Sequence, residues 1–390
     1  MLIKRLTLKN ILSFKETTIE LEQLNVLIGP NSGGKSNLIE TIGLLQAAPT
    51  GIEGQILRGG GVRQWLWLGD REPAASAEVE CELTLPSRPQ LGPLRYRLDF
   101  WGGPQGFEIL HERLMHGDSD SDAPAYFVRR STGVQFGAQA LEMAKTLAAG
   151  VAVSSKESVF ARFKSPIDPT PITEVGGCFE KIRIFREFRT GPTSQARSGI
   201  STSVPKDFLW EGADNLALVL HELDFLGVHD RVMKYLKRFC DRFEDVKVDV
   251  GEGLARTFLR EAGLSKMVSG IRMSDGTLKF LCLLAVLFHP KPAPLVCIEE
   301  PELGLHPDAL RLVAEMLVEA SQYTQLIVTT HSEALVDALT DRPESVLVCE
   351  RDFDNGTHFK RYSRDELDDW LEHYTLGELW RKGEIGGGRW

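Results

Sequence analysis

The sequence predicts an α/β fold built on a mixed sheet, with antiparallel strands in its N-terminal part and an inserted helical lobe. Three observations support this prediction. The chain begins with short stretches of alternating apolar residues, at 2–8, 18–21 and 25–28, as half-buried strands do. A glycine-rich turn then leads into a stretch of helical periodicity at 36–45. In the last third, strand-like and helix-like stretches alternate, which indicates parallel βαβ units.

The same periodicities predict the remaining elements. In chain order they are strands at 78–85, 94–101 and 107–115, a loop at 189–206, helices at 215–225 and 229–243, a strand at 246–250, a helix at 277–287, a strand at 295–298, a helix at 307–321, a strand at 325–330, a helix at 333–339 and a strand at 345–349. We therefore expect three domains: an N-terminal lobe over 1–135, a helical lobe over 136–290 and a C-terminal lobe over 291–390.

Composition narrows the class of protein. The chain has 45 basic and 55 acidic residues and a net charge of −10, so nucleic acid would have to be contacted locally rather than through a general basic surface. Six cysteines are scattered without zinc-ligand spacing, which is typical of reduced thiols in a cytosol. No apolar run approaches the roughly 20 residues of a membrane-spanning helix. We expect a cytoplasmic globular protein without membrane contact.

A phosphate-binding loop is predicted between the third strand and the first helix. The stretch matches the pattern GxxxxGK[ST] in the context that this pattern requires, and the predicted nucleotide-binding residues are Gly29, Pro30, Asn31, Ser32, Gly33, Gly34, Lys35, Ser36 and Asn37. Glycines let consecutive backbone N–H groups face a phosphate, and the helix N-terminus adds partial positive charge. Lys35 would bridge the β- and γ-phosphates of ATP, and Ser36 would supply a hydroxyl ligand to Mg²⁺.

Two adjacent carboxylates follow the apolar strand of the C-terminal lobe. A buried strand that ends in Glu299 and Glu300 is costly unless a cation or a polarised water meets the two acids. We predict that Glu299 holds Mg²⁺ and that Glu300 is the general base for the attacking water. His331 lies at the end of the next strand, at the sheet edge where parallel sheets bind ligands, and is predicted to contact the γ-phosphate or the water.

A second anion site is predicted at the start of the helix over 277–287. Ser274 and Gly276 form a Ser-x-Gly turn there, and a helix start attracts anions. Since this turn and the phosphate loop would face different surfaces of one subunit, we predict that it clamps the γ-phosphate of a nucleotide held by a second copy. Head-to-tail exchange between two copies gives a closed homodimer. A higher homo-oligomer is the alternative.

Taken together, these motifs resemble the P-loop NTPases of ABC type, in the RecF/SMC-related branch that includes stand-alone AAA-type ATPases similar to the ATPase half of OLD-family proteins. The stretch Leu-Lys-Asn-Ile-Leu-Ser-Phe at 8–14 and the stretch Glu-Glu-Pro-Glu-Leu-Gly-Leu-His-Pro at 299–307 carry the resemblance, which is specific over 1–50 and 270–335. It implies an ATPase with ATP and Mg²⁺ as ligands, Ser274 and Gly276 as contacts in trans, and a loop at 304–308 along the dimer interface.

This sequence departs from the family pattern at three points. Asp275 stands where the family signature usually has glycine, and the metal carboxylate, Glu299, is more often aspartate. The glutamine loop of the family is not placed, because Gln46, Gln64 and Gln195 are all candidates. Glu299 in place of the shorter aspartate predicts slow hydrolysis of ATP.

Several functions are consistent with these motifs. The leading hypothesis is an ATP-gated switch that acts on a separate effector, such as a nuclease or toxin, or on nucleic acid, in DNA repair or in anti-phage defence. Basic stretches at 129–130, 181–189 and 231–242 are candidates for DNA contact. The alternatives are an OLD-like nuclease, for which the chain after Ser332 is expected to be too short, a transporter nucleotide-binding subunit, and an ATP sensor without hydrolysis. Glu350, Asp352 and Asp354 imitate a nuclease metal site, but Asp-Asn-Gly at 354–356 is a hairpin signal.

Overall fold

A computed structural model describes residues 1–69, 74–104, 106–117, 125–131, 133–138, 153–165, 167–168 and 170–387. Its strands are β1 Ile3–Ile11, β2 Phe14–Glu20, β3 Leu24–Ile28, β4 Ser76–Leu83, β5 Leu94–Gly103, β6 Gly106–His116, β7 Ala125–Arg130, β8 Gly133–Phe136, β9 Arg183–Phe185, β10 Ile200–Ser201, β11 Phe243–Gly251, β12 Leu254–Glu261, β13 Val268–Ser269, β14 Leu295–Glu299, β15 Gln325–Thr329, β16 Val346–Asp352 and β17 Gly356–Arg361.

The helices are α1 Lys35–Ala47, α2 Ile52–Arg58, α3 Val62–Trp65, α4 Val159–Arg162, α5 Ile172–Glu180, α6 Gln195–Ser198, α7 Leu216–Phe225, α8 His229–Phe239, α9 Asp275–Leu287, α10 Leu310–Ala320, α11 Glu333–Asp337, α12 Arg364–Leu371 and α13 Leu376–Lys382. Among the described residues, no helix is both long enough and apolar enough to cross a membrane.

The chain divides into two compact units. The first comprises Met1–Arg183, Glu344–Ser363 and Lys382–Trp390, and the second comprises Ile184–Pro343 and Arg364–Arg381. Each unit joins segments that are far apart in sequence. The expected division into three lobes stays a prediction, and residues 139–152 of the expected helical lobe lie outside the described residues.

In the first unit the strands are ordered β8-β7-β6-β5-β4-β1-β2-β17-β16-β3. All neighbours are antiparallel except β16 and β3, which run parallel, with Val348 opposite Ile28. This is the predicted mixed sheet with antiparallel N-terminal strands. β1 buries Ile3, Leu6, Leu8 and Ile11 and leaves the residues between them at least partly exposed, as in a strand with one covered face. β3 is buried along its whole length, as in a strand covered on both faces.

An aromatic cluster encloses a carboxylate in this unit. Tyr96, Phe160 and Phe179 have ring centroids within 5.7 Å of one another. Glu112 is fully buried beside them and accepts hydrogen bonds from the Tyr96 hydroxyl at 3.0 Å and the Val159 backbone N–H at 2.9 Å. Burial raises the pKa of Glu112, and these donors oppose the rise. The buried acid therefore ties β5 and β6 to α4.

In the second unit β14 runs parallel to β15, with Glu299 opposite Thr329, and β9 flanks β14. A separate antiparallel sheet has the order β10-β12-β11, and β13 pairs with β12. The helix α9 packs against α7 and α8, and α7 and α8 also pack against β11. The lobe inserted between the N- and C-terminal parts is thus helical, as predicted, but it also carries this small sheet.

The sequence placed most elements within a few residues of their positions in the structure. The predicted loop at 189–206 was wrong in part, because it contains α6 and β10. The predicted helix at 229–243 ends at Phe239, and Phe243 already begins β11. The predicted helix at 307–321 begins with a 3₁₀ turn over Pro307–Ala309 before α10. No prediction had been made for β12, although its buried residues Ala255, Thr257 and Leu259 alternate as strand residues do.

Candidate functional site

The predicted phosphate loop connects β3 to α1, the strand–turn–helix context that its motif requires. Gly29 and Gly34 have φ angles of 144° and 113°, in a region that side chains disfavour. A Cβ on Gly29 would lie 2.2 Å from the Cys349 carbonyl oxygen, and one on Gly34 would lie 2.3 Å from Thr357 Oγ1. Both conformation and space therefore require glycine at these two positions.

The helix that follows the loop has no side-chain cap. Gly34 occupies its N-cap position, and no side-chain hydrogen bond caps its first turn. Backbone N–H groups at an uncapped helix start suit an anion, and the helix dipole adds to the attraction. Asn31, Ser32 and Ser36 are exposed at this end, Asn37 is half-buried, and Ser32 has a φ of 64°.

Lys35 is the buried basic residue of the loop. Only 6% of it is exposed, and its Nζ donates to the carbonyl oxygens of Gly29 at 2.8 Å and of Pro30 at 2.9 Å. The ammonium group is thereby folded across the loop rather than extended into solvent. This places a positive charge where the loop would receive phosphate oxygens.

Two side chains from β16 and β17 support the same loop from behind. The Thr357 hydroxyl donates to the Gly33 carbonyl at 2.8 Å and lies 2.8 Å from Ser13 Oγ. The Cys349 thiol also donates to the Gly33 carbonyl, at 3.2 Å, and burial raises its pKa to about 12. Both groups thus act as neutral hydrogen-bonding supports of the loop backbone.

The carboxylate pair lies at the end of β14 in the second unit. Glu299 is the last residue of the strand, and Glu300 follows with a φ of 46°. A left-handed conformation is rare for a residue with a side chain, and it is held here by hydrogen bonds from Glu300 N to Thr329 O at 3.0 Å and from Leu303 N to Glu300 O at 3.1 Å. The turn separates the two side chains at the end of the sheet.

The predicted histidine lies beside this pair. His331 Nε2 is 4.0 Å from Glu300 Oε1, and both side chains are 36% exposed. The backbone around His331 is fixed by Glu302, whose Oε1 accepts from the His331 N–H at 2.8 Å and from the Thr330 hydroxyl at 2.6 Å. Burial raises the pKa of Glu302, and the neighbouring Glu300 charge adds to the rise.

The Ser-x-Gly turn begins α9. The Ser274 hydroxyl caps this helix by accepting from the Thr277 N–H at 3.0 Å, so it has a structural role of its own. Gly276 faces a neighbouring backbone closely, because a Cβ there would lie 2.9 Å from the Gly304 carbonyl oxygen. Both residues are at least partly accessible to solvent.

Arg197, which the sequence analysis did not single out, anchors that turn. The residue is 9% exposed, and its guanidinium donates to Thr190 O at 2.6 Å, to Met273 O at 2.5 Å and to the Asp275 carboxylate. Asp275, the departure from the family signature, therefore has a partner inside the unit. An arginine within a Gly- and Ser-rich stretch was the sequence signal, but two of its acceptors, the Met273 carbonyl and the Asp275 carboxylate, lie 76 and 78 residues further along the chain.

The structure places the predicted residues in two groups. Those of the phosphate loop lie in the first unit, and Ser274, Gly276, Glu299, Glu300 and His331 lie in the second. Within the second unit, the structure brings Glu300 and His331 together. That both groups meet at one nucleotide stays a prediction. Of the candidate glutamines, Gln46 donates to the Ile182 carbonyl at 2.8 Å, which is a structural role.

Six of the basic residues considered for DNA contact have partners within the protein. Arg129 is buried and donates to the Ser154 carbonyl at 2.6 Å. Five more pair with acids: Arg186 with Glu299, Arg189 with Asp214, Arg231 with Glu319, Arg238 with Glu315 and Arg242 with Glu261. These partners lower the net positive charge that the stretches would present to a phosphate backbone.

Two of the three acids that imitate a metal site accept hydrogen bonds from backbone N–H groups. Asp352 Oδ1 accepts from the N–H groups of Asp354 at 2.9 Å and Asn355 at 2.6 Å, which is the hairpin turn that the sequence predicted. Glu350 Oε1 accepts from the Gly387 N–H at 2.8 Å. Among the described residues, no group of three or more His, Cys, Asp or Glu side chains could hold a metal ion.

The residues fit a magnesium nucleotide by their chemistry. The glycines of the phosphate loop admit no Cβ, the first turn of α1 has no side-chain cap, and Lys35 points across the loop. Mg²⁺ prefers oxygen ligands, and the Ser36 hydroxyl in the first unit and the Glu299 carboxylate in the second are ligands of this kind. The fold and this loop define the fold class, which is that of the P-loop NTPases of ABC type.

Comparison with known proteins finds two family models. The family described as "AAA domain, putative AbiEii toxin, Type IV TA system" matches residues 220–337, and an AAA domain family matches residues 5–48. No curated protein matches the chain in sequence. The chain thus matches AAA-domain models over two separate segments and has the fold of SMC head domains.

Solved structures of SMC heads match nearly the whole chain. The SMC head bound to the C-terminal winged-helix domain of ScpA has a TM-score of 0.61 at 14% identity, over 94% of this chain and 99% of that one. The Pyrococcus furiosus SMC head with an extended coiled coil, bound to the C-terminal domain of ScpA, gives 0.58 at 14%, over 95% and 98%. The Pyrococcus yayanosii SMC head with a coiled coil and joint gives 0.52 at 11%, over 95% and 99%.

Proposed function

We propose that this protein binds and hydrolyses ATP, and that two copies close head to tail around two Mg-ATP molecules. Closure and hydrolysis switch a separate partner protein or a nucleic-acid complex, in DNA repair and genome maintenance or in anti-phage defence, and the protein acts in the cytoplasm. The ATPase fold is the established part. The dimer, the magnesium, the partner and the pathway belong to the proposal.

One observation carries the hydrolytic part. Glu300 has a left-handed backbone conformation that places its carboxylate 4.0 Å from His331 Nε2, at the carboxyl ends of two adjacent parallel strands. Strained residues with side chains concentrate at functional sites, and this sheet edge is where parallel sheets bind ligands. Glu300 serves as the general base that takes a proton from the attacking water. His331 orients that water or the γ-phosphate.

The other residues bind and orient the nucleotide. Lys35 contacts the β- and γ-phosphates, and backbone N–H groups within 29–34 donate to the remaining phosphate oxygens. Ser36 and Glu299 hold Mg²⁺, which when bound neutralises charge that develops on the phosphates. Gly34 supports this assignment, because its positive φ and its close contact with Thr357 behind the loop hold the backbone in the turn that a phosphate nest needs.

The turn at the start of α9 supports head-to-tail pairing. Ser274 and Gly276 are solvent-accessible at a helix start, and each would clamp the γ-phosphate held by the other copy. The SMC heads of similar fold were solved with a domain of ScpA bound, which favours a separate partner protein for this chain as well. A twofold exchange of this kind closes after two copies.

The proposal is tested with Glu300→Gln, which removes the base but keeps the size of the side chain. We expect kcat for ATP hydrolysis to fall about 100- to 10,000-fold, as for loss of a general base. The trapped species should double its mass in light scattering only when ATP and Mg²⁺ are both present. Lys35→Ala is the control and should show neither ATP binding nor doubling. A Glu300→Gln protein that hydrolyses ATP at the wild-type rate would refute the assignment of the base.

A further inference from the structure

A charged cavity lies against the carboxylate pair in the second unit. Its volume is about 180 Å³, and its charged lining residues are Arg186, Glu187, Lys279, Glu299 and Glu300. The segment that follows β9 forms one wall, and the end of β14 forms the other. A cavity of this size accommodates a hydrated ion together with a few water molecules.

Arg186 faces the predicted metal ligand across this cavity. Its Nε lies 3.6 Å from Glu299 Oε1, and 43% of its side chain is exposed, against 16% for that of Glu299. The separation is longer than a hydrogen bond, so the attraction between the two groups is mainly Coulombic. Because the Arg186 side chain has solvent on one side, its guanidinium can move away from Glu299 into water and stay hydrated.

The second cation of the cavity is held differently. Lys279 Nζ donates to the Leu303 carbonyl at 3.0 Å, which ties it to the loop after Glu300. Arg186 is therefore the cation placed directly against Glu299. A divalent ion that binds this carboxylate must displace or repel the guanidinium, since two cations within about 4 Å of one oxygen repel each other.

We propose that Arg186 is a built-in counter-cation that competes with divalent metal for Glu299, so that the carboxylate pair rejects a bare metal ion and accepts one that arrives with a nucleotide. The inference rests on the proposed function, because the nucleotide supplies the phosphate oxygens that favour the metal over the guanidinium. It gives the protein a metal site that depends on nucleotide. Arg186 is a positioning residue, which acts through Glu299.

The test measures metal binding without nucleotide. Mn²⁺ is titrated into the full-length protein, and free Mn²⁺ is followed by electron paramagnetic resonance for wild type, Arg186→Ala and Arg186→Lys. We expect the dissociation constant of Arg186→Ala to be about two- to fivefold lower than that of wild type, the range for removal of a partly exposed ion pair. Arg186→Lys should stay close to wild type because it keeps the charge. The gain should shrink as NaCl is raised.

Two variants separate a local effect from a change in net charge. Arg189→Ala removes the same charge three residues later, where the arginine pairs with Asp214, and should leave Mn²⁺ affinity unchanged. Adding Glu299→Gln to Arg186→Ala should abolish the gain. Equal affinities of wild type and Arg186→Ala, no detectable Mn²⁺ binding by Arg186→Ala, or an equal gain in Arg189→Ala would each overturn the inference.

The outcomes also separate this inference from the proposed function. If Arg186→Ala binds Mn²⁺ more tightly but Glu300→Gln neither slows hydrolysis nor doubles in mass with ATP, the counter-cation is supported and the ATP-driven dimer is refuted. If Arg186→Ala binds Mn²⁺ as wild type does but Glu300→Gln slows hydrolysis and doubles in mass, the dimer is supported and the counter-cation is refuted. Circular dichroism of Arg186→Ala checks that the fold is intact, and Arg186→Gln, for which we expect the same gain in Mn²⁺ affinity, takes its place if it is not.

Discussion

Gly276, the second residue of α9, packs against the backbone of Gly304, so that a Cβ on Gly276 would lie 2.9 Å from the Gly304 carbonyl oxygen. Lys279, one turn along the same helix, donates to the neighbouring Leu303 carbonyl at 3.0 Å. The start of α9 and the loop after Glu300 are therefore in direct contact within one unit. A movement of the turn at Ser274 must also move the loop that follows the carboxylate pair.

Gly276→Ala tests this contact. The added methyl group must displace the Gly304 carbonyl, which we expect to cost about 1–2 kcal/mol of stability, as for other overpacked sites. We expect ATP hydrolysis to fall about tenfold, since a shift of about 1 Å in positioning has effects of this order, and ATP affinity to change little. Steady-state ATPase rates and urea unfolding measure the two effects. Gly251→Ala is the matched control, because nothing lies within 4 Å of its Cβ. Equal losses in both variants would count against the contact.

Arg197→Lys tests the anchor of the same turn. Lysine cannot reach Thr190 O, Met273 O and Asp275 together, so we expect a loss of about 1–3 kcal/mol, as for lost hydrogen bonds to a charged group. The loss of ATPase activity should exceed the loss of ATP affinity. Asp275→Asn removes only the exposed partner and should cost less than about 1 kcal/mol. If Asp275→Asn were the more damaging variant, the ion pair rather than the backbone acceptors would hold the turn.

Thr357→Val tests the support behind the phosphate loop. Valine keeps the shape of the side chain but removes the hydroxyl that donates to Gly33 O and contacts Ser13 Oγ. Because the buried Ser13 hydroxyl then loses this partner, we expect about 1–2 kcal/mol of destabilisation. ATP affinity, measured by calorimetry, should fall about tenfold if the same energy is lost in binding. Thr7→Val removes an exposed hydroxyl from the same sheet and should be close to neutral. An unchanged affinity of Thr357→Val would show that the loop holds its shape without this bond.

Glu302→Gln tests the pH dependence of stability. The folded pKa of Glu302 is raised above 4.5 by burial, so its favourable contribution is complete below the unfolded pKa and is lost as pH rises through the folded pKa. The amide keeps the acceptor for Thr330 and His331 but cannot ionise. We therefore expect the unfolding free energy of the variant, relative to wild type, to increase from pH 4 to pH 7. The exposed Glu372→Gln is the control. A relative stability that falls with pH would contradict the sign of the shift.

The local parts of the fold and site were predictable because short-range rules decide them. The phosphate loop needs glycine at positions 29 and 34 for steric reasons that the motif records, and the helix after it follows from apolar spacing. Likewise the apolar strand before Glu299 and the cap at Ser274 were visible in the sequence. The left-handed conformation of Glu300 was not visible, because nothing in its neighbours demands it.

The supports of the site could not be predicted. Arg186 and Arg197 looked like members of solvated basic or polar stretches, and Thr357 like an ordinary strand residue. Their partners, Glu299, Met273 and Gly33, are far away in sequence. The sequence contains the donors and acceptors, but only the strand order selects which of them meet.

The sequence by itself determined the class of this protein, because a glycine-rich turn between strand and helix and two acids after a buried strand are local features with a local physical cause. The tertiary structure decided how those features are held. A parallel register places Glu299 opposite Thr329, an antiparallel hairpin brings Thr357 behind the phosphate loop, and a buried guanidinium fixes the turn before α9. These arrangements depend on contacts between distant segments, whose free energies are settled by packing and hydrogen-bond satisfaction rather than by any short stretch of residues.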